Sequence, residues 1–224
     1  MSFETGAYQN AVAMMNPAGA PHPAPGDSTF PVRVRPAEAV FLIKLTDSCG
    51  IPNALVIEFG GQPHSYGVQS TRFLKNKKRT VSLMPKPGSP PDALPTPLFI
   101  IKLYGVWSRY FRIYNATTSE CVVTVMTRDP SKTDSSDRTI RSQSYGWFGD
   151  NTSVAPFFSV DGDAWSSGCR VVGAPHREPL FTLSKQGYAN QYGLLVEAHL
   201  DSALMLACAI GLLDLYGPSS ARLF

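Results

Sequence analysis

The amino-acid sequence predicts a mainly β fold: a closed antiparallel β-barrel of about twelve strands that encloses a hydrophobic C-terminal α-helix. Two observations lead to this prediction. Between Ala203 and Leu213 the thiol of Cys208 is the most polar side chain, and a helix that is apolar on every side must be buried. The chain before it holds about ten to twelve short β-rich runs with turn signals between them, which favours an antiparallel sheet. A wide barrel has room for such a helix, so the two features account for each other.

The helix is predicted over about residues 201–216. Asp201 and Ser202 offer side-chain oxygens that cap a helix N-terminus, and Asp201 also suits the positive end of the helix dipole. Gly217 and Pro218 form a stop signal, because glycine adopts the left-handed cap and proline cannot continue the helix. The eleven apolar residues rise about 16 Å, roughly half of a bilayer core, so this helix is expected to be a buried core element.

The strands are predicted from short apolar or alternating runs. Asn115 is the expected turn former between two of them, and Asp161 to Asp163 is expected to turn the chain. The predicted runs are 40–46, 54–59, 65–70, 80–84, 98–104, 107–115, 120–127, 144–148, 156–160, 168–173, 178–183 and 192–197.

Residues 1–36 are predicted to be a disordered tail, and residues 37–224 a single domain. The tail is rich in proline, alanine and glycine, and such a segment cannot bury enough apolar surface to offset its chain entropy. Two further segments are predicted to be loops: the proline-rich stretch 86–97 and the polar stretch 128–143. The tail or loop 86–97 is a candidate site for a protein partner, since proline-rich segments are read by dedicated modules, and a plain surface loop is the favoured alternative for 86–97.

Composition and targeting signals point to an intracellular protein. The net charge of +3 is too mild to argue for nucleic acid, so nucleic acid is not favoured as a partner. The N-terminus lacks a secretory signal, and no run reaches 18 apolar residues. The four cysteines are spread without a CxxC pair, which favours free thiols in a reducing compartment and predicts no zinc site. We expect a cytoplasmic protein with reversible peripheral membrane association, and the nucleus remains an alternative.

The C-terminal third resembles a known family. The segment from Trp165 to Tyr216 is similar to the end of the tubby C-terminal-like superfamily, in its LURP-one-related and phospholipid-scramblase-like branches. The resemblance rests on the strand-like runs 169–173, 179–183 and 192–197, followed by the stretch from Leu200 to Asp214, in which one aspartate precedes and another closes a run of leucine and alanine. It implies a twelve-stranded barrel around the C-terminal helix. It also implies phosphoinositide binding, because relatives of tubby bind these lipids.

The candidate site is a cluster of five cations within eight residues, beside Phe73 and Leu74. Each lysine or arginine near an acidic membrane contributes about 1 kcal/mol, so the cluster is suited to grip anionic lipid headgroups. The alternatives are a solvated hairpin tip, where lysines keep an edge soluble, and a nuclear-localisation signal. The candidate residues are Arg72, Lys75, Lys77, Lys78 and Arg79.

The expected function is that of a non-enzymatic binding or scaffold protein of the LURP-one-related type, attached to phosphoinositides or anionic membranes through this cluster. Scramblase-like or lipid-transfer activity is the first alternative, and an enzyme with its site at a barrel mouth is the second. No GxSxG, HExxH or phosphate-binding loop motif occurs, and the histidines lack partners at ligand spacing. We therefore expect no catalytic residues, no metal and no cofactor.

Overall fold

A computed structural model describes residues 39–48, 51–59, 66–73, 76–85, 88–90, 92–104, 110–127, 144–164, 166–174, 176–187 and 190–216. The predicted tail, 1–36, and the predicted polar loop, 128–143, lie outside these residues. The strands are β1 (Ala39–Ser48), β2 (Ile51–Phe59), β3 (Tyr66–Phe73), β4 (Asn76–Leu83), β5 (Thr96–Tyr104), β6 (Tyr110–Asn115), β7 (Cys121–Thr127), β8 (Ser144–Phe148), β9 (Phe158–Asp163), β10 (Gly168–Gly173), β11 (Pro179–Lys185) and β12 (Gln191–Val196). The helix is α1 (Ser202–Tyr216).

The strands pair antiparallel in an order that returns to its start. The order is β1-β12-β11-β10-β9-β8-β7-β6-β5-β4-β3-β2, and β1 pairs with both β12 and β2. Each strand therefore follows its neighbour in sequence, as expected for strands joined by short connections.

The sequence predicted a closed barrel, and the observed sheet corrects that prediction at two seams where few residues pair. Pairing is uneven: β2 with β3 and β8 with β9 share three residue pairs each, whereas β1 and β2 share nine. Fewer paired residues mean fewer ladder hydrogen bonds, so these two seams are the weak points of the ring. The observed architecture is an antiparallel sheet in which two neighbouring strand pairs share few residues, a feature that sequence periodicity did not indicate.

The inward face of the sheet and the helix form one core. Along β6 every second residue is buried, with Phe111, Ile113 and Asn115 facing inward, as alternation in a half-buried strand requires. Fourteen of the fifteen residues of α1, from Ser202 to Leu215, are buried. The prediction of a helix buried on all sides is therefore confirmed. Gly211 lets the helix approach β6 closely, because a Cβ atom at that position would overlap the ring of Phe111.

The predicted cap of α1 is confirmed for one of its two residues. The carboxylate of Asp201 accepts hydrogen bonds from the backbone N–H groups of Ala203 (2.9 Å) and Leu204 (3.1 Å). The Ser202 hydroxyl was expected to help, but it is buried and has no hydrogen-bond partner in the part of the chain that the structure describes. The predicted turn at Asn115 is also confirmed, since its side-chain oxygen accepts from the N–H groups of Thr117 and Thr118.

Candidate anion-binding site

The five predicted headgroup residues are spread over the β3–β4 hairpin. Lys75 lies outside the described residues, as do the side chains of Arg72 and Lys77, whose backbones belong to β3 and β4. Lys78 and Arg79 are described, and they lie on opposite faces of β4, with Lys78 exposed and Arg79 buried. Most of the basic cluster is therefore strand, whereas the sequence indicated a connection between strands.

Arg79 is the member of the cluster for which the prediction is wrong. Its side chain is 2% exposed and faces the helix. Its Nε donates to Oδ2 of Asp214 at 2.5 Å, and its Nη2 donates to Oδ1 at 2.6 Å. A guanidinium that is buried and committed to a bidentate pair cannot reach a lipid headgroup, so Arg79 holds the helix in the sheet instead.

Asp214 needs this partner for two reasons. It is 5% exposed, and a buried carboxylate is costly unless a cation and hydrogen bonds compensate it. It also lies in the last turn of α1, where the negative end of the helix dipole disfavours a further negative charge. The pair fixes the C-terminal end of the helix against β4.

On the outer face, Lys78 begins a row of three cations. In the strand register Lys78 pairs with Lys102 of β5, and Lys102 pairs with Arg112 of β6. Directly opposite residues on neighbouring strands lie about 5 Å apart, so the row spans about 10 Å. Like charges in opposite positions destabilise a sheet, and an arrangement that costs stability calls for an explanation. We call Lys78, Lys102 and Arg112 the cation row.

No carboxylate neutralises the row within the described part of the chain. The ion pairs found there join Arg79 to Asp214 and Arg177 to Asp161, and neither involves a member of the row. The Nε of Arg112 is buried and has no hydrogen-bond partner among the described residues. The row therefore presents positive charge without a paired carboxylate, which favours an anion as its partner.

Three tyrosines frame the row on the same face. The ammonium of Lys102 lies 4.5 Å from the ring centroid of Tyr114, and the guanidinium of Arg112 lies 5.8 Å from that of Tyr110. Both distances are in the range of cation–π attraction. The rings of Tyr104 and Tyr110 stack at 5.0 Å, and the hydroxyls of Tyr104 and Tyr114 are 2.9 Å apart. These contacts position the heads of Lys102 and Arg112.

The surroundings of the row raise the pKa values of Tyr104 and Arg112. Burial, and then the hydrogen bond with Tyr114, raise the pKa of Tyr104 well above its usual value. For Arg112 burial alone lowers the pKa, but the hydrogen bond with Tyr114 and nearby ionisable groups outweigh it, and the net direction is upward. Tyr104 therefore stays neutral and Arg112 stays charged at physiological pH.

Sequence analysis missed Lys102 and Arg112 because the strand register brings them to Lys78. Two sequence observations pointed to these residues. Tyr110, Arg112 and Tyr114 alternate on the more polar face of the run 107–115, and Lys102 is the charged residue within the apolar run 98–104. Neither observation identifies a neighbouring strand. The pairing of β4, β5 and β6 supplies that information.

The other polar features have structural roles. Asp161 to Asp163, predicted as a turn, is the end of β9 and pairs with β10, so that prediction is wrong. Asp161 accepts from Nη2 of Arg177 at 2.5 Å, and Asp163 accepts from the backbone N–H of Ser166 at 3.2 Å. Within the described ranges, no group of three histidine, cysteine, aspartate or glutamate side chains is placed to hold a metal ion.

The comparison with solved structures finds chains of similar fold. The chain shares its fold with a plant protein. That protein is AT5G01750 of Arabidopsis thaliana, known from an X-ray structure. The TM-score is 0.53 and the sequence identity 17%, over 81% of this chain and 92% of the plant chain. At this identity the likeness shows the fold alone.

Neither a protein-family model nor a curated protein sequence matches the chain. Across the described residues, no helix is both long and apolar enough to cross a membrane.

Proposed function

We propose that this chain is a non-enzymatic binding or scaffold protein of the LURP-one-related type, which attaches to anionic membrane surfaces, including those with phosphoinositides. The observation that carries the proposal is the cation row: three cations in register on the outer face of β4–β6, without a described carboxylate beside them. The fold shared with the Arabidopsis protein supports the family type. Reversible attachment of this kind suits a cytoplasmic protein.

The row has the charge and spacing that a headgroup needs. Two or three cations within about 10 Å can contact one multiply charged headgroup or two neighbouring lipids. Each contributes about 1 kcal/mol near an acidic surface, so binding is weak per residue and depends on the row acting together. The tyrosine contacts already restrict the side-chain rotamers of Lys102 and Arg112 in the free protein. Binding a headgroup therefore costs less side-chain entropy.

Vesicle flotation tests the proposal with variants matched in charge. Lys78→Gln/Lys102→Gln should weaken binding to phosphoinositide vesicles by about 2 kcal/mol, and wild-type binding should fall as salt is raised. The control is Lys44→Gln/Arg170→Gln, which removes the same charge from exposed positions on β1 and β10. The control should bind like the wild type.

Several outcomes would overturn the proposal. Equal weakening of both variants would show that net charge, rather than the row, drives binding. Tighter binding of a single-stranded oligonucleotide than of vesicles, with competition between them, would reassign the row to nucleic acid. Transport of dye-labelled lipid by the reconstituted protein would favour the scramblase-like alternative.

A further inference from the structure

Two tyrosine hydroxyls meet on the outer face of the sheet, between the heads of two members of the cation row. In the strand register Lys102 lies opposite Arg112. Tyr104 follows Lys102 by two residues on β5, and Tyr114 follows Arg112 by two residues on β6. Because the strands are antiparallel, the tyrosines lie on either side of the Lys102–Arg112 pair, on the same face. Their hydroxyls are 2.9 Å apart, so the two side chains lean toward each other across the pair. We call Tyr104 and Tyr114 the tyrosine bridge.

The tyrosine bridge has one hydroxyl hydrogen left to donate. A tyrosine hydroxyl carries one hydrogen, and the hydrogen bond within the bridge uses one of the two, whichever oxygen donates. Arg112 also hydrogen-bonds to Tyr114, but a guanidinium only donates, so this contact uses neither hydroxyl hydrogen. Burial raises the pKa of Tyr104, which keeps its hydroxyl protonated at physiological pH. The second hydrogen therefore has no acceptor among the described residues.

We propose that the tyrosine bridge makes the cation row select a phosphate monoester, because its remaining hydroxyl donates to the phosphate that Lys102 and Arg112 hold. This inference rests on the proposed function and adds which headgroup chemistry the site prefers. A phosphate monoester has three terminal oxygens, and the ammonium, the guanidinium and the hydroxyl offer one donor to each. The phosphodiester of an ordinary anionic phospholipid has one terminal oxygen fewer, so it leaves one of these donors without a partner.

The rings of the bridge have a separate role, which lets the hydroxyls be tested alone. The ring of Tyr114 holds the ammonium of Lys102 at 4.5 Å from its centroid, and the ring of Tyr104 stacks on that of Tyr110 at 5.0 Å. Phenylalanine keeps both ring contacts and removes the hydroxyl. Tyr104→Phe/Tyr114→Phe therefore deletes the donor and leaves all three cations of the row in place.

Vesicles that differ in phosphate chemistry test this selectivity. Phosphatidylcholine vesicles carry either phosphatidic acid, a monoester, or phosphatidylglycerol, a diester, mixed to the same surface potential. The wild type should bind the monoester vesicles about tenfold more tightly, and Tyr104→Phe/Tyr114→Phe should bind both alike, since a hydrogen bond to a charged group is lost. Tyr110→Phe is the matched control: it removes a hydroxyl from the same face but outside the bridge, and it should keep the preference. The salt dependence should be the same in all three proteins, because their cations are unchanged.

Titration with glycerol 3-phosphate, followed by nuclear magnetic resonance, distinguishes a soluble monoester from a membrane-borne one. Saturable binding by the wild type and Tyr110→Phe, but not by the double variant, supports a site that also accepts the soluble ester. A preference seen on vesicles alone supports a site for the membrane-borne ester.

Two results overturn the inference and leave the proposed function standing, provided that Lys78→Gln/Lys102→Gln still weakens binding. The first is equal binding of the wild type to both kinds of vesicle. The second is an undiminished monoester preference in Tyr104→Phe/Tyr114→Phe. Absence of any wild-type vesicle binding overturns both proposals.

Discussion

Arg79→Met should lower the free energy of unfolding by about 3–5 kcal/mol. The substitution removes the cation that pairs with Asp214 and leaves a carboxylate that is 5% exposed, inside the sheet and at the negative end of a helix. Asp214→Leu should cost a similar amount, because the buried guanidinium then loses its bidentate acceptor. Urea unfolding followed by circular dichroism measures both.

The double variant Arg79→Met/Asp214→Leu is the decisive control. Replacing a buried ion pair by apolar residues of similar size is often neutral or stabilising, so the double variant should recover most of the loss. The interaction energy from this cycle should be several kcal/mol. Additive losses would show that the two side chains do not act as a pair. An unchanged stability of Arg79→Met would show that Arg79 is not buried against the helix.

Leu206→Asp should prevent cooperative folding. Leu206 is fully buried in the middle of α1, and an unpaired carboxylate at that position costs several kcal/mol, a large part of the stability of a typical domain. Leu206→Met keeps the volume and apolarity of the site and should cost under about 1.5 kcal/mol. Thermal unfolding of the two variants is the measurement. A cooperatively folded Leu206→Asp protein with near wild-type stability would contradict a helix buried on all sides.

The helix was predictable because the relevant signals are local. Short stretches of sequence indicate its apolar surface, its cap at Asp201 and its end before Gly217. The structure confirms the burial of the helix and the Asp201 cap. The positions of the strands were predictable for the same reason, since the alternation of buried and exposed residues in a strand such as β6 can be recognised without its partner strand.

The site was only partly predictable because it depends on register. Lys78 and Arg79 are adjacent in sequence and therefore face opposite sides of the sheet. Which of them faces inward depends on the strand register, because a shift of one residue exchanges the two sides. The partner of Arg79 lies 135 residues further along the chain. Lys102 and Arg112 join Lys78 only through the pairing of three strands. Of the predicted cluster, Arg79 is therefore buried and structural, and Lys78 is exposed. The residues that lie beside Lys78 are Lys102 and Arg112, which the sequence did not indicate.

The most direct test compares vesicle binding by two double variants that both fold. Arg79→Met/Asp214→Leu removes the buried pair, and Lys78→Gln/Lys102→Gln removes two members of the cation row. We expect the first variant to bind phosphoinositide vesicles like the wild type at moderate salt, and the second to lose about 2 kcal/mol of binding free energy. Loss of binding in the first variant together with full binding in the second would contradict membrane attachment through the cation row.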